Sequence, residues 1–194
     1  GIFDGQGYTI SGLYVKDSAA DAGQAIFSCI DGATVKNINV NNGSNSAGYI
    51  NAKDVLVEGC TIVGGNGFRS CYTKGTVTFK NCVITGATYG IHFDGSAGGN
   101  IVIDNCVITG WTSFAATIEK VTMTDTTFAE GSQNYIRFYQ DADISGCTFK
   151  NNKAINGGAI YVIGNSTNAT ITDSTFEDTG AVSFSGNNFG GALS

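Results

Sequence analysis

The chain has 194 residues, a formal net charge of −6, 28 glycines and no proline, and only 13% of its residues are charged. That length suffices for one continuous core, while the acidic balance argues against a nucleic-acid or anionic-membrane partner. No apolar run reaches the length of a membrane span, and no basic leader with an apolar segment opens the chain, so no membrane insertion is expected within it.

Taken in chain order, one short phrase recurs about eight times. An inward apolar residue and an outward residue lead to Gly, Asn or Asp; a small or apolar residue, an outward one and another apolar one follow. The first four copies read Ile10-Ser11-Gly12-Leu13-Tyr14-Val15, Val35-Lys36-Asn37-Ile38-Asn39-Val40, Val57-Glu58-Gly59-Cys60-Thr61-Ile62 and Phe79-Lys80-Asn81-Cys82-Val83-Ile84. The last four read Ile103-Asp104-Asn105-Cys106-Val107-Ile108, Met123-Thr124-Asp125-Thr126-Thr127-Phe128, Ile144-Ser145-Gly146-Cys147-Thr148-Phe149 and Ile171-Thr172-Asp173-Ser174-Thr175-Phe176. From Leu13 onward the equivalent positions are 25, 22, 22, 24, 20, 21 and 27 residues apart. A period of this length built from strand-forming residues marks a solenoid. The in–out alternation is strand patterning. Gly, Asn and Asp tolerate the left-handed backbone that a one-residue corner between two strands demands.

Each coil is predicted to carry a third strand after a loop of variable length. The expected spans are Ala25–Ile30, Ala47–Asn51, Phe68–Thr73, Gly90–Asp94, Ser113–Ile118, Tyr135–Tyr139, Ala159–Ile163 and Ala181–Ser185. The fold class expected is therefore all-β: a right-handed parallel β-helix of about eight coils with three strands each, forming a single domain over residues 1–194. Neither end looks sealed, so the chain is expected to be a segment of a longer one, or to make end-to-end contacts with flanking domains or another chain.

Four of the six cysteines, Cys60, Cys82, Cys106 and Cys147, share one repeat position with Thr126 and Ser174. Residues stacked on neighbouring parallel strands sit about 4.8 Å apart, too far for a disulfide's Cβ spacing of about 3.8 Å. They are expected as small interior fillers, with no metal site and no cofactor; Cys29 and Cys71 stay unassigned. Asn37, Asn81 and Asn105 are expected to form a ladder of stacked amides. Asp141-Ala142-Asp143 and Asp173 with Glu177-Asp178 read as solvated turns.

With the coils in place, the sequence resembles the right-handed parallel β-helix proteins of the pectin-lyase-like group, its opening Phe3-Asp4-Gly5-Gln6-Gly7-Tyr8-Thr9-Ile10-Ser11-Gly12-Leu13 being similar to a first-coil phrase there. Near the C-terminus, Cys147-Thr148-Phe149-Lys150-Asn151-Asn152 followed by Gly157-Gly158-Ala159-Ile160 resembles the FxxN and GGA pair of chlamydial-type polymorphic outer membrane protein repeats, and Gly190-Gly191-Ala192-Leu193 adds a second GGA phrase. That resemblance implies a bacterial cell-surface adhesin, extracellular or surface-displayed, with glycans or host-surface molecules as partners.

The expected binding surface is the outward side of the third strand. Alternation in Gly90-Ile91-His92-Phe93-Asp94 points Ile91 and Phe93 inward and leaves His92 and Asp94 outside. The same reasoning exposes Arg137 and Tyr139 on Tyr135–Tyr139, and Tyr161 on Ala159–Ile163. Stacked coils would gather His92, Asp94, Arg137, Tyr139 and Tyr161 into a face able to hold a sugar chain. No catalytic residue is assigned. The leading expectation is a non-catalytic structural or adhesive segment. Its rival is a polysaccharide lyase or glycoside hydrolase, or a degenerate relative, working on acidic sugars along this face.

Overall fold

In the computed structural model the described residues are 1–12, 25–41, 46–50, 53–70, 74–85, 89–93, 98–114, 117–132, 136–154, 158–162 and 168–181. They form a three-sided solenoid in which every paired strand runs parallel to its neighbour. The first sheet stacks eight strands: Ile2–Asp4, Thr34–Lys36, Lys53–Glu58, Lys74–Lys80, Gly99–Asp104, Ile118–Thr124, Asp141–Ser145 and Ala169–Thr172. The second stacks Thr9–Ser11, Asn39–Asn41, Thr61–Val63, Val83–Thr85, Val107–Ile108, Thr127–Ser132, Thr148–Ala154 and Thr175–Glu177. The third stacks Ala25–Ile30, Ser46–Ile50, Asn66–Ser70, Tyr89–Phe93, Trp111–Phe114, Ile136–Phe138 and Ile160–Val162.

The corner between the first two sheets follows from one backbone conformation. Asn37, Gly59, Asn81, Asn105, Asp125, Gly146 and Asp173 all have φ between 47° and 63°, the left-handed region. One such residue turns the chain from the first sheet into the second without a loop, which keeps neighbouring coils in register. The first copy of the phrase is a correction. Phe3 pairs with Val35 and Ile10 with Val40, so Ile10 belongs to the second sheet and Gly12 lies beyond it. The first coil instead turns through Gly5–Tyr8, with Gln6 at φ 52° and Gly7 at φ 79°.

Behind each corner lies the cysteine column. Ile38, Cys60, Cys82, Cys106, Thr126 and Cys147 are at most 1% exposed, and the four cysteines are free thiols. The column favours a small X–H group because each one donates to the carbonyl two residues back. Cys82 Sγ reaches Lys80 O at 3.2 Å, Cys106 Sγ reaches Asp104 O at 3.3 Å, Thr126 Oγ1 reaches Thr124 O at 2.8 Å, and Ser174 Oγ reaches Thr172 O at 2.9 Å. Each of these carbonyls also accepts a backbone N–H from the preceding coil, Lys80 O from Gly59 at 2.9 Å among them, so the X–H group adds a second bond to an acceptor already met. Ile38 shows that an apolar residue also fits. The flanking thiols of Cys106 and Cys60, and then burial, push the Cys82 thiol pKa up. Cys29 and Cys71 fall outside the described side chains.

The rest of the core is columns of like residues: Val35, Val57, Phe79, Ile103, Met123 and Ile144 on the first sheet, and Val40, Ile62, Ile84, Ile108, Phe128 and Phe149 on the second. Phe128 and Phe149 stack at 5.4 Å and 8°, and Phe149 and Phe176 at 4.8 Å and 11°. The asparagine ladder forms in part. Asn105 Nδ2 donates to Asn81 Oδ1 at 2.8 Å, whereas Asn37, separated from Asn81 by Gly59, donates to Asp4 Oδ1 at 3.1 Å. Asn152 is buried at 1% exposure, and its Nδ2 donates to Phe128 O at 3.0 Å.

Asp173 and Asp178 lie in exposed bends as expected, whereas the turn read at Asp141-Ala142-Asp143 needs correcting. Asp141 and Asp143 sit on a strand, where Asp143 ion-pairs with Lys120 and Asp141 Oδ1 accepts from the Asn168 amide at 2.9 Å. They belong to inter-coil charge pairing that includes Lys36–Asp4, Lys80–Asp104 and Lys150–Glu177, each at 3.3 Å. Such exposed pairs are worth roughly 0–1 kcal/mol each.

Candidate functional site on the third sheet

The third-strand expectations hold in place and shift at their ends. The strand expected at Gly90–Asp94 is Tyr89–Phe93, and Ser113–Ile118 is Trp111–Phe114, because Ile118 already opens the next strand of the first sheet. Tyr135–Tyr139 contracts to Ile136–Phe138, leaving Tyr139 in a bend. At the last span, Gly180–Ala181 pairs with Thr148–Ala154 of the second sheet, and residues 182–194 lie outside the described ones.

A β-bulge organises the site. Tyr89 pairs with Trp111 and His92 with Ser113, so Gly90 and Ile91 face Thr112 alone. Bulges redirect side chains. Here the extra residue lets Tyr89 and His92, three apart in sequence, share the outer face, while Ile91 and Phe93 stay fully buried. Glycine is needed at the bulge because a Cβ on Gly90 would come within 2.6 Å of Ile108 Cγ2.

Three rings then close on one another. Tyr89 and His92 lie 4.8 Å apart, His92 and Trp111 5.0 Å, and Tyr89 and Trp111 5.3 Å. His92 was expected in solvent; it is 7% exposed, covered by the flanking Tyr89 and Trp111. The next coil adds Arg137. Its Cζ lies 5.2 Å from the Trp111 ring and 5.8 Å from the Tyr139 ring, and its Nε donates to Ser113 Oγ at 3.1 Å. Arg137 and Tyr139 are half-buried rather than exposed. Beside them Gln140 is buried, its Oε1 accepting from the Tyr139 amide at 2.7 Å.

The structure thus brings together His92, Arg137 and Tyr139, and pairs Tyr161 with Arg137 in register. Asp94 lies outside the described residues. Tyr89, Trp111 and Ser113 escaped the sequence reading. The lone Trp111 after Gly110 was the available signal; the bulge that brings Tyr89 alongside left none.

Register exposes a further regularity. Arg69 pairs with His92, His92 with Ser113, Ser113 with Arg137 and Arg137 with Tyr161, one position running straight down the sheet. Both arginines and the single histidine of the chain occupy it. The seven third-sheet strands contain no Asp or Glu. Among the described residues no group of three or more His, Cys, Asp or Glu side chains could hold a metal ion. A separate hollow of about 420 Å³ at the first coil is lined by Phe3, Phe27, Ile30, Asp31 and Val35, an apolar setting with one carboxylate.

A parallel β-solenoid with an aromatic and cationic strip on one sheet is the class these features define. The sequence profile described as a right handed beta helix region matches residues 2–119 and again residues 73–191, and the chain belongs to that family. No curated protein and no solved structure shows significant similarity to it.

Proposed function

We propose that this chain is a non-catalytic structural and adhesive segment of a secreted or surface-displayed bacterial protein, and that the outer face of its third sheet binds glycans. The family is often found in extracellular and surface proteins. The observation that carries the binding role is the Tyr89–His92–Trp111 ring cluster, extended by Arg137 and Tyr139 and mounted on a rigid parallel sheet. Aromatic faces stack on sugar rings, while their polar edges and the arginine supply hydrogen bonds. Hydrolysis instead asks for two carboxylates about 5–10 Å apart across the substrate. The bacterial surface assignment is supported by the Phe149…Asn152 and Gly157-Gly158-Ala159-Ile160 phrases.

A glycan array probed with the purified chain, followed by titration of hits against Trp111 fluorescence, tests this reading. Trp111 is the only tryptophan, so its emission reports on the site itself. Loss of array binding in Trp111→Ala with Tyr139→Ala, a variant followed on the array because it carries no tryptophan, is the expected result. Undiminished binding in that variant would remove the third sheet from the reading.

The rival, a polysaccharide lyase or glycoside hydrolase acting on acidic sugars, draws support from His92, a buried imidazole beside the Arg69 and Arg137 positions. Release of reducing ends or unsaturated products from a polyuronate, lost in His92→Ala, would favour it.

A further inference from the structure

We infer that Arg137 is an oxyanion-binding residue, and that the glycan read by the third sheet carries carboxylate or sulfate groups. This deepens the binding reading above and rests on it. Among the described residues, Lys36, Lys80, Lys120 and Lys150 each spend their charge on an Asp or Glu of a neighbouring coil. Arg137 has no carboxylate partner among them; its contacts are two aromatic rings and a neutral hydroxyl.

Those contacts leave the guanidinium oriented and still charged. Trp111 and Tyr139 flank the plane, and Nε is committed to Ser113 Oγ, which leaves the edge formed by the two terminal nitrogens. That edge matches the two oxygens of a carboxylate or sulfate. Side-chain ordering normally paid on binding is already met by the rings and the hydroxyl.

Charge distribution points the same way. The chain is acidic overall at −6, yet its arginines and histidine share one register position on strands without Asp or Glu. An anionic chain is therefore attracted to this sheet rather than to the ion-paired first sheet. The Arg69 position precedes Arg137 by three coils, about 14 Å at the usual strand spacing. A linear polymer with repeated anionic groups fits that pitch better than an isolated anion.

The test compares an oligouronate, its methyl ester, a sulfated oligosaccharide and inorganic sulfate, titrated against wild type, Arg137→Gln, Arg137→Lys and Ser113→Ala. Trp111 fluorescence and calorimetry supply the readouts, with thermal melting to confirm folding. Acidic ligands should bind at least about tenfold more tightly than the ester, an advantage that salt erodes. Arg137→Gln should abolish that preference and Arg137→Lys should weaken it. Ser113→Ala, which keeps the charge and loses the orienting hydroxyl, should lower affinity while preserving the preference, so one informative variant survives if Arg137→Gln fails to fold. Equal binding of acid and ester by wild type would overturn the oxyanion assignment while leaving glycan binding intact. Sulfate quenching that requires Arg137, without binding of any oligosaccharide, would support the assignment and overturn the glycan reading. No binding by any ligand would overturn both.

Discussion

The carboxylate of Asp125 lies across the face of Gly146 one coil further on, so closely that a Cβ added to Gly146 would collide with Asp125 Oδ1. Both residues are left-handed corners, with φ of 47° and 63°. Gly146→Ala should therefore destabilise on two counts: about 1–2 kcal/mol from the left-handed backbone, and a further amount from displacing Asp125. Gly12, at φ 70° with no atom within 4 Å of the added Cβ, isolates the first count. Urea denaturation should rank Gly146→Ala below Gly12→Ala. Asp125→Ala should recover the difference in a double-mutant cycle, and a coupling near zero would contradict the contact.

The buried column makes a chemical prediction. Native protein should react with a thiol reagent at none of Cys60, Cys82, Cys106 and Cys147, and all four should label on unfolding. Cys82→Thr should be tolerated, since Thr126 already fills the equivalent place with its hydroxyl on a carbonyl. Cys82→Ala leaves a void, at a cost of about 1 kcal/mol, while Lys80 O keeps its bond from the Gly59 amide. Rapid labelling of Cys82 in the folded state would refute the packing.

Stability should also fall in alkali. The Cys147 thiol pKa is raised from an ordinary value of 9.0, chiefly by burial. Below that ordinary value both folded and unfolded chains hold the proton, and the native state keeps its full stability. As pH rises above it, the unfolded chain gives up a proton that the native chain retains, and stability declines. Denaturation midpoints from pH 7 to 10 should show the decline, with a smaller slope in Cys147→Thr.

At the other end of the scale, the Asp4 carboxyl should titrate below its ordinary 3.8. The Gln6 amide, then the Asn37 side chain, then Lys36, hold it ionised. Its lowered value makes a stabilising contribution that is present above the ordinary range and lost as pH falls through the native pKa. Carboxyl NMR titration of wild type against Asn37→Ala would detect this. An unshifted Asp4 in wild type would count against the first-coil turn.

Gly67 should prove intolerant of any side chain. A Cβ there would run into the backbone carbonyl of Gly90, the bulge residue. Gly67→Ala should cost about 1–3 kcal/mol, as overpacking does, and should shift Trp111 emission because the bulge that aligns Tyr89 with Trp111 must move. Unchanged emission would separate the bulge from the ring cluster.

Much of the fold was legible beforehand because a solenoid writes its geometry locally. Each coil needs a left-handed corner, and only Gly, Asn and Asp serve it cheaply; all eight expected positions have positive φ, and seven of them join the first sheet to the second. The eighth failed because Ile10-Ser11-Gly12-Leu13 imitates the phrase, while the true first turn spans Gly5–Tyr8 and obeys no repeat. In the candidate site, alternation alone placed His92, Arg137 and Tyr161 on one sheet. It could not foresee a bulge at Gly90, so it exposed His92 and overlooked Tyr89 and Trp111.

The chain's own pattern settled the winding, the three sheets and the contents of the interior columns, since period and alternation act over a few neighbouring residues. Tertiary structure alone decided which outer side chains touch. Lateral contact between coils depends on register, and a single inserted residue in one strand changes which residues face each other. The Tyr89–His92–Trp111 cluster and the clamped Arg137 exist only because coils some 20 to 27 residues apart are stacked with that one-residue offset in place.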